Sequence, residues 1–333
     1  MPTRSVQIRT VGRSGLRLSE IGFGCGTGAG LKIHDEPAAQ RAAIERALER
    51  GITYFDTAPI YGETRSEQHL GRALKELGAT TAVVGTKIAL ELGDLEDIAA
   101  SVVASVEGSL RRLGRESLDI VYLHNRVGAE RAARADIGVG ALLTVDDVLG
   151  PGGVVAGLTS LRARGLVNVF GCCSYGGETA SLEALVDSDA FGIMLVHYNI
   201  INQSAFLAAP AGSRAANDYG RIAARAAGRG MGVTVLRVLE AGLLAANARE
   251  KPSELQAQND QRARSLAFLR NGDATLVPAA IRFALSNPAV STVLVGISET
   301  AHVDAAADAA SRGPLPADAL ARIEAARAVD FAP

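Results

Sequence analysis

The stretch Ala82–His124, AVVGTKIALELGDLEDIAASVVASVEGSLRRLGRESLDIVYLH, decides the fold. Two short apolar runs, Ala82–Lys87 and Leu118–His124, enclose a segment, 95–113, whose apolar groups recur at helical spacing. Runs of this length read as buried strands, and a three-to-four-residue recurrence reads as one face of a helix. Strands joined through a helix run parallel, because a long crossover is needed to bring the chain back to the same end of the sheet.

The same alternation extends outward in both directions. Upstream, strand-like Ile21–Cys25 precedes a helix over 37–50 closed by Gly51, and Thr53–Thr57 precedes a helix near 66–77. Downstream, the strands are Val167–Ser174, Gly192–Tyr198, Gly232–Val238 and Ser291–Val295. Helices are predicted near 153–164, 178–187, 214–229, 275–286, 299–311 and 317–328. The segment 125–150 reads as a loop insertion ended by Gly150-Pro151-Gly152-Gly153, and 239–272 is irregular and then helical. Val6–Ile8 and Leu16–Leu18 flank Gly12–Gly15 as a β-hairpin. Eight strand–helix units predict an α/β fold: a (β/α)8 TIM barrel with an N-terminal hairpin cap, as a single domain over 1–333. An open doubly wound sheet is the alternative. The run Gly22-Phe-Gly24-Cys-Gly26-Thr-Gly28 is glycine-rich, but no helix follows it directly, as a dinucleotide fingerprint requires.

Composition narrows the function classes. A hydrophobic fraction of 48% against 21% charged residues indicates a large core rather than disorder. A net charge of −2 supplies no global field toward nucleic acid or an anionic membrane. The N-terminus lacks the apolar core of a signal peptide and no stretch is long enough to span a bilayer, so a cytoplasmic protein is expected. Cys25, Cys172 and Cys173 form no paired framework and read as core residues or free thiols. The five histidines show no metal-ligand spacing, so no metal is expected.

In such a barrel, chemistry collects at the C-terminal ends of the strands. Asp56 ends the second strand with Tyr61 in the loop beyond, Lys87 ends the third, and His124 ends the fourth. Taken singly, each has an ordinary structural reading: a turn cap, a packing ring, a solvated amine, a hydrogen-bonded imidazole. Together they suit carbonyl reduction, where carbon takes a hydride and oxygen takes a proton from a positioned acid. A phenol is a weak acid, and a nearby ammonium is expected to lower its pKa. A carboxylate beside the ammonium keeps it protonated, and an imidazole can hold the substrate oxygen.

These residues resemble the aldo-keto reductase family. The likeness rests on Gly51-Ile-Thr-Tyr-Phe-Asp56-Thr-Ala-Pro-Ile-Tyr61-Gly, followed by Ser66-Glu67 and Leu70-Gly71. Lys87 after an apolar strand, His124 after Asp119-Ile-Val-Tyr-Leu, and the Gly12-x-x-Gly15-Leu16 turn extend it over nearly the whole chain. The resemblance implies that Tyr61 is the general acid/base, Lys87 tunes it, Asp56 pairs with Lys87 and His124 orients the substrate. It implies NAD or NADP across the barrel mouth, against Cys25, Gly26, Asp56, Ser174, Arg237, Gly296, Ser298, Glu299 and His302. The last four lie at the eighth-strand loop and the helix N-terminus after it, a natural anion site.

Several positions depart from the family pattern. Tyr175 stands where Asn is frequent, Leu195 where Gln is usual, and Leu236-Arg237 where an aromatic often stacks on the nicotinamide. Arg237 reads either as a pyrophosphate or anionic-substrate ligand or as a rim salt bridge. The loop Gly296–His302 carries no Lys or Arg, and Glu299 suits a 2′-hydroxyl better than a 2′-phosphate, so NAD use at least comparable to NADP is expected. The ordinary role of Glu299 is helix capping, and that of His197 is a satisfied core position. The later half is most like bacterial aldose and galactose dehydrogenases, which implies a sugar or related alcohol as substrate. A general NADPH-dependent aldehyde or ketone reductase is the second reading, and a cofactor-binding regulatory subunit the third. Loops 26–36, 125–152, 199–213 and 239–273 are expected to set specificity.

Overall fold

A computed structural model describes residues 5–26, 37–133, 139–174, 176–210, 213, 217–245, 254–270 and 272–331. Eight parallel strands among them close into a barrel: β3 (Ile21–Gly24), β4 (Tyr54–Asp56), β5 (Val83–Ile88), β6 (Leu118–Leu123), β9 (Val167–Cys173), β10 (Ile193–His197), β11 (Gly232–Leu236) and β12 (Thr292–Gly296). The circle closes where Val293 pairs with Ile21 and Gly296 with Gly24. Helices α1 (Pro37–Glu49), α2 (Arg65–Glu76) and α3 (Ile98–Leu113) follow the first three barrel strands. No helix among the described residues is long and apolar enough to cross a membrane.

Side chains alternate along each strand, so the barrel has two apolar layers. Phe55, Val84 and Val121 face the helices and pack with residues such as Leu70 and Val106. Tyr54, Ile120, Tyr122, Ile193 and Leu195 fill the interior. The interior also contains Val11 and Leu18 of the N-terminal hairpin, both fully buried. That hairpin pairs β1 (Ile8–Thr10) with β2 (Arg17–Ser19), one to two residues later than the sequence indicates. Val11 seats directly on β11: a Cβ added at Gly232 would lie 2.1 Å from its Cγ1. The cap is therefore a plug whose fit requires glycine at the foot of the seventh barrel strand.

Three expectations differ from the structure. The segment 125–150 is not a plain loop. It holds the short parallel pair β7 (Val127–Gly128) and β8 (Leu143–Thr144), followed by α4 (Val145–Leu149). Thr144 caps that helix by accepting from the Asp147 amide at 3.1 Å, and the buried Asp147 carboxylate binds Arg131. Second, the helix expected over 214–229 spans Ile222–Gly228. Asn217-Asp218-Tyr219-Gly220 forms a turn instead, in which Asp218 accepts from the Gly220 amide at 2.9 Å and Gly220 and Arg221 take left-handed φ values of 56° and 57°; residues 214–216 lie outside the described residues. Third, the 95–113 element divides at Asp97 into a 3-10 turn and α3, whose N-terminus Asp97 caps through the Ala100 amide. Tyr175 and residues 27–36 of the first specificity loop lie outside the described residues.

Gly232→Ala is expected to destabilise the fold by about 1–3 kcal/mol, the usual cost of overpacking. Adding Val11→Ala should restore much of that loss, because it removes the atom the new methyl meets. Urea denaturation of the two single variants and the double variant measures the coupling.

Candidate active site

Strand period and strand length bring the predicted side chains to one rim. Tyr54 and Asp56 share the inward face of β4, as do Gly85 and Lys87 on β5, and Lys87 lies opposite Tyr122 of β6 in the sheet register. His124 and Ser174 directly follow β6 and β9. All four strands run parallel, so these residues share the C-terminal end of the barrel.

At the centre, the Lys87 ammonium donates to Asp56 Oδ1 and to the Thr57 carbonyl, the latter at 2.8 Å. Their side chains are only 1% and 6% exposed. The Ser66-Glu67 pair of the sequence motif anchors this centre from outside. Ser66 hydrogen-bonds the Thr57 hydroxyl at 2.8 Å and donates to the Cys25 carbonyl at 3.1 Å. Glu67, fully buried, accepts from Thr86 at 2.6 Å and from Arg112 at 2.5 Å, which ties α2 to β5 and α3.

Tyr61 reaches the centre from a strained loop. Gly62, Glu63 and Thr64 take φ values of 59°, 54° and 72° in succession, and a left-handed β-branched residue is rare. This turn swings the Tyr61 ring to 4.9 Å from the Lys87 ammonium and sets it edge-on to His124, with ring centroids 6.0 Å apart. A Cβ at Gly26 would lie 3.9 Å from the Tyr61 ring, so Gly26 borders the phenol, and the buried Cys25 before it bonds the Asp56 carbonyl through its amide at 2.9 Å.

Electrostatics at this rim are dominated by burial. Burial raises the Tyr61 phenol to about 12; Lys87 pulls it down, and Asp56 pushes it up. The expected lowering by the ammonium is present as a contribution, but desolvation exceeds it. Burial opposes the Lys87 charge, yet Asp56 and Tyr61 together hold the amine above its ordinary value. Burial raises Asp56 against the pull of Lys87. Burial, with a smaller push from Lys87, lowers His124 to about 3, so the imidazole is neutral near pH 7. His124 Nδ1 and Ser174 Oγ are both buried with no hydrogen-bond partner among the described residues. A buried polar atom left so costs about 1–3 kcal/mol, and a ligand that pairs it recovers that cost. These two atoms fit the hydrogen-bonding needs of a substrate oxygen and a carboxamide.

The remaining predicted positions lie along the same rim. Arg237 follows β11 with φ 59° and is exposed; burial raises the Glu240 carboxyl, and the Arg237 charge pulls it down against that effect. Gly296 ends β12 and is exposed. Ser298 shares a 3.0 Å hydrogen bond with His302 Nδ1, and Glu299 stands 3.2 Å from His302 Nε2. Glu299 is the N-cap residue of the helix Thr300–Ser311, but its side chain makes no capping bond and turns to His302 instead. Leu195 is buried in the interior cluster, where it cannot supply the amide of a Gln. His197 Nδ1 bonds the Tyr219 hydroxyl at 2.8 Å, a satisfied position close to the rim. Sequence reasoning missed Tyr54, Tyr122, Thr234 and Tyr219. The first two carried a usable signal, since each lies two residues before a predicted site residue on the same face.

A closed (β/α)8 barrel with an acid, phenol, amine and imidazole at its mouth defines an oxidoreductase class, and comparison with known proteins agrees. The sequence pattern of the Aldo/keto reductase family matches residues 20–328, so the chain belongs to that family. It is 26% identical to pyridoxal 4-dehydrogenase from Microbacterium luteolum, over 89% of this chain and 91% of that protein. It is 27% identical to D-threo-aldose 1-dehydrogenase from Pseudomonas sp, over 95% and 96% of the two chains. Its fold matches the holo form of aldo-keto reductase AKR11C1 from Bacillus halodurans with a TM-score of 0.72, at 21% identity and 96% coverage of both chains. The chain is thus an oxidoreductase of a family that uses nicotinamide cofactors on small carbonyl and alcohol substrates.

Acid should weaken this fold through its histidines. Burial lowers both His124 and His197 to about 3, from an ordinary value of 6.5. The unfolded chain therefore binds protons near pH 6.5 that the folded chain refuses until about pH 3. Stability falls as pH drops through that window, by at most about 1.4 kcal/mol per pH unit for each proton. Denaturation curves between pH 7 and 4 should show a shallower slope in His197→Gln than in the wild type; equal slopes would contradict the assignment.

Proposed function

We propose that this enzyme interconverts a small alcohol and its carbonyl by hydride transfer to or from NAD or NADP, with Tyr61 as general acid/base. The preferred substrate class is the C1 hydroxyl of a sugar or a related alcohol, which the aldose-dehydrogenase relative supports. The observation that carries the reading is the gathering of Tyr61, Lys87, Asp56 and His124 around one rim position beside two orphaned buried polar atoms. The chain is taken as a single cytoplasmic barrel domain.

Each residue has one task. In the reductive direction, Tyr61 gives its phenolic proton to the carbonyl oxygen, and Lys87 stabilises the phenolate left behind. Asp56 keeps Lys87 charged and fixed against the Thr57 carbonyl. His124, neutral in this setting, holds the substrate oxygen by a hydrogen bond without competing for the proton. In the oxidative direction, Tyr61 as phenolate takes the hydroxyl proton. The nicotinamide, when bound, supplies or accepts the hydride. Its carboxamide suits Ser174 Oγ, with Cys25, Gly26 and Asp56 bordering the same side of the rim. Arg237 suits the pyrophosphate, and Gly296, Ser298, Glu299 and His302 suit the adenosine end. The regulatory-subunit reading gains no specific support from this arrangement.

Tyr61→Phe should abolish turnover, by about 1,000-fold or more, and leave cofactor affinity within a few-fold. The chain has no Trp, so binding can be followed by the fluorescence of the reduced nicotinamide with little background. Wild-type rates in this variant would refute the proton-donor assignment. The Gly296–His302 loop leads to a second expectation. NAD should be used at least as well as NADP, since Glu299 stands 67% exposed where a 2′-phosphate would need a cation. Comparing kcat/KM for both cofactors across sugars, alcohols and aldehydes tests this, and a hundredfold preference for NADP would overturn it.

A further inference from the structure

Beneath the rim, a line of hydroxyl groups runs through the barrel interior. Tyr54 donates to Asp56 Oδ2 at 3.4 Å, its oxygen lies 3.2 Å from the Tyr122 hydroxyl, and Tyr122 lies 3.3 Å from Thr234 Oγ1. All three hydroxyl residues are fully buried. The line starts on the carboxylate oxygen that Lys87 does not use, and it ends on β11 across the barrel.

The barrel is shaped to hold these rings. A Cβ at Gly85 would lie 2.8 Å from the Tyr54 hydroxyl oxygen, and one at Gly22 would lie 2.7 Å from its ring. A Cβ at Gly171 would lie 2.3 Å from the Tyr122 ring. Packing alone would be served by Phe at both positions, with no buried hydroxyl to satisfy. The Tyr54 phenol instead sits where one oxygen of Asp56 has no other side-chain donor among the described residues, and Tyr122 backs it.

We propose that Tyr54 is a positioning residue for Tyr61: it pins Asp56 from below, Asp56 holds Lys87, and Lys87 faces the Tyr61 ring. This rests on the reading of Tyr61 as proton donor. Asp56 is held at two oxygens, by Lys87 above and Tyr54 below, and a hydrogen bond to a charged group in a dry interior is stronger than one in water. Without the Tyr54 hydroxyl, the second Asp56 oxygen loses its donor, and the carboxylate is held by Lys87 alone. Its negative charge is then less offset and acts more strongly on Tyr61, which Asp56 already pushes up, so Tyr61 ionises at higher pH. The other groups acting on Tyr61 are His124 at the ring edge and Cys173 on β9, whose thiol burial raises to about 12 and keeps neutral. Those acting on Asp56 are Lys87, Tyr54, Tyr61, Tyr122 and Cys173.

The test uses the full-length protein with Tyr54→Phe, which keeps the ring in its socket. The chain has six tyrosines, so selective ring labelling and Tyr61→Phe assign the Tyr61 nuclear magnetic resonance signal. The expected result is ionisation of Tyr61 at a pH higher by about half a unit or more, with cofactor affinity unchanged. Alcohol oxidation should slow several-fold at fixed pH through kcat rather than KM. Tyr122→Phe, one link further away, should give a smaller shift in the same direction. If Tyr54→Phe lowers the melting temperature but leaves the Tyr61 titration where it was, the hydroxyl only packs and the proposal fails. If Tyr54→Phe does not fold, the Tyr122→Phe titration decides: a shift supports the relay and no shift ends it. The titration needs no turnover, so an absence of oxidoreductase activity would reject the catalytic reading without obscuring this result.

Discussion

The ion pair of Lys87 with Asp56 is the constraint around which the mouth of this barrel is organised. Two charges removed from water each carry a penalty of several kcal/mol, and their mutual attraction returns it only if every remaining donor and acceptor is paired. The structure pairs both Asp56 oxygens and two of the three Lys87 protons with parts from several elements. The Thr57 carbonyl takes a second Lys87 proton, and Tyr54 takes the second Asp56 oxygen. Ser66 fixes the Thr57 hydroxyl, and the buried Glu67 fastens α2 to its neighbours through Thr86 and Arg112. Removing either charge would strand the other, at about 3–5 kcal/mol. An apolar pair of similar volume would stabilise the barrel at least as well, so a fold selected for stability alone has no need of this arrangement.

The strands, and hence the barrel, were legible because parallel strands buried on both faces read as apolar runs that helices separate. Three of the four rim residues were legible for the same reason: Asp56, Lys87 and His124 interrupt or end such runs. Tyr61 was legible only through its motif, since nothing in residues 57–64 announces three left-handed residues in a row. Tyr54 and Tyr122 were passed over because a strand tyrosine reads first as packing, although their spacing two residues before Asp56 and His124 placed them on the same face. The direction of the Tyr61 shift was illegible for a different reason. The attraction of Lys87 follows from proximity, but the desolvation that outweighs it depends on how many neighbours enclose the ring. The predicted helix over 214–229 began too early because the turn chemistry of Asn217-Asp218-Tyr219-Gly220 was passed over. Glu299 failed as a cap because His302, one turn on, competes for its carboxylate.

The two orphaned atoms belong to the same economy of strain. Tertiary structure normally pairs buried polar groups, and exceptions gather where a ligand completes them. His124 and Ser174 follow adjacent strands of the barrel, and their amides still bond the neighbouring strands, at the Ile88 carbonyl (2.8 Å) and the Leu195 carbonyl (2.9 Å), while Nδ1 and Oγ find no partner among the described residues. A strand end is where the backbone is fixed and packed but the side chain turns toward the mouth, away from further protein partners. The (β/α)8 architecture therefore creates unsatisfied positions at one rim without distorting its core, and the left-handed turn at 62–64 carries Tyr61 to meet them.

Burial acts on this rim in two opposed ways, and their balance bears on the proposed reaction. It raises Tyr61 to about 12 and lowers His124 to about 3, so both groups are neutral at pH 7. Judged by acidity alone, Tyr61 is a poorer acid than a phenol in water. Yet the low polarity that makes the phenolate costly also magnifies the field of the one positive charge beside it. An oxyanion developing near Lys87 gains from that field throughout the reaction, whether the charge rests on substrate oxygen or on Tyr61. The proton can then move between the two oxygens with little change in electrostatic energy. In the proposed reaction it is the fixed ammonium, held by Asp56 and its supports, rather than a lowered phenol pKa, that eases proton transfer in both directions.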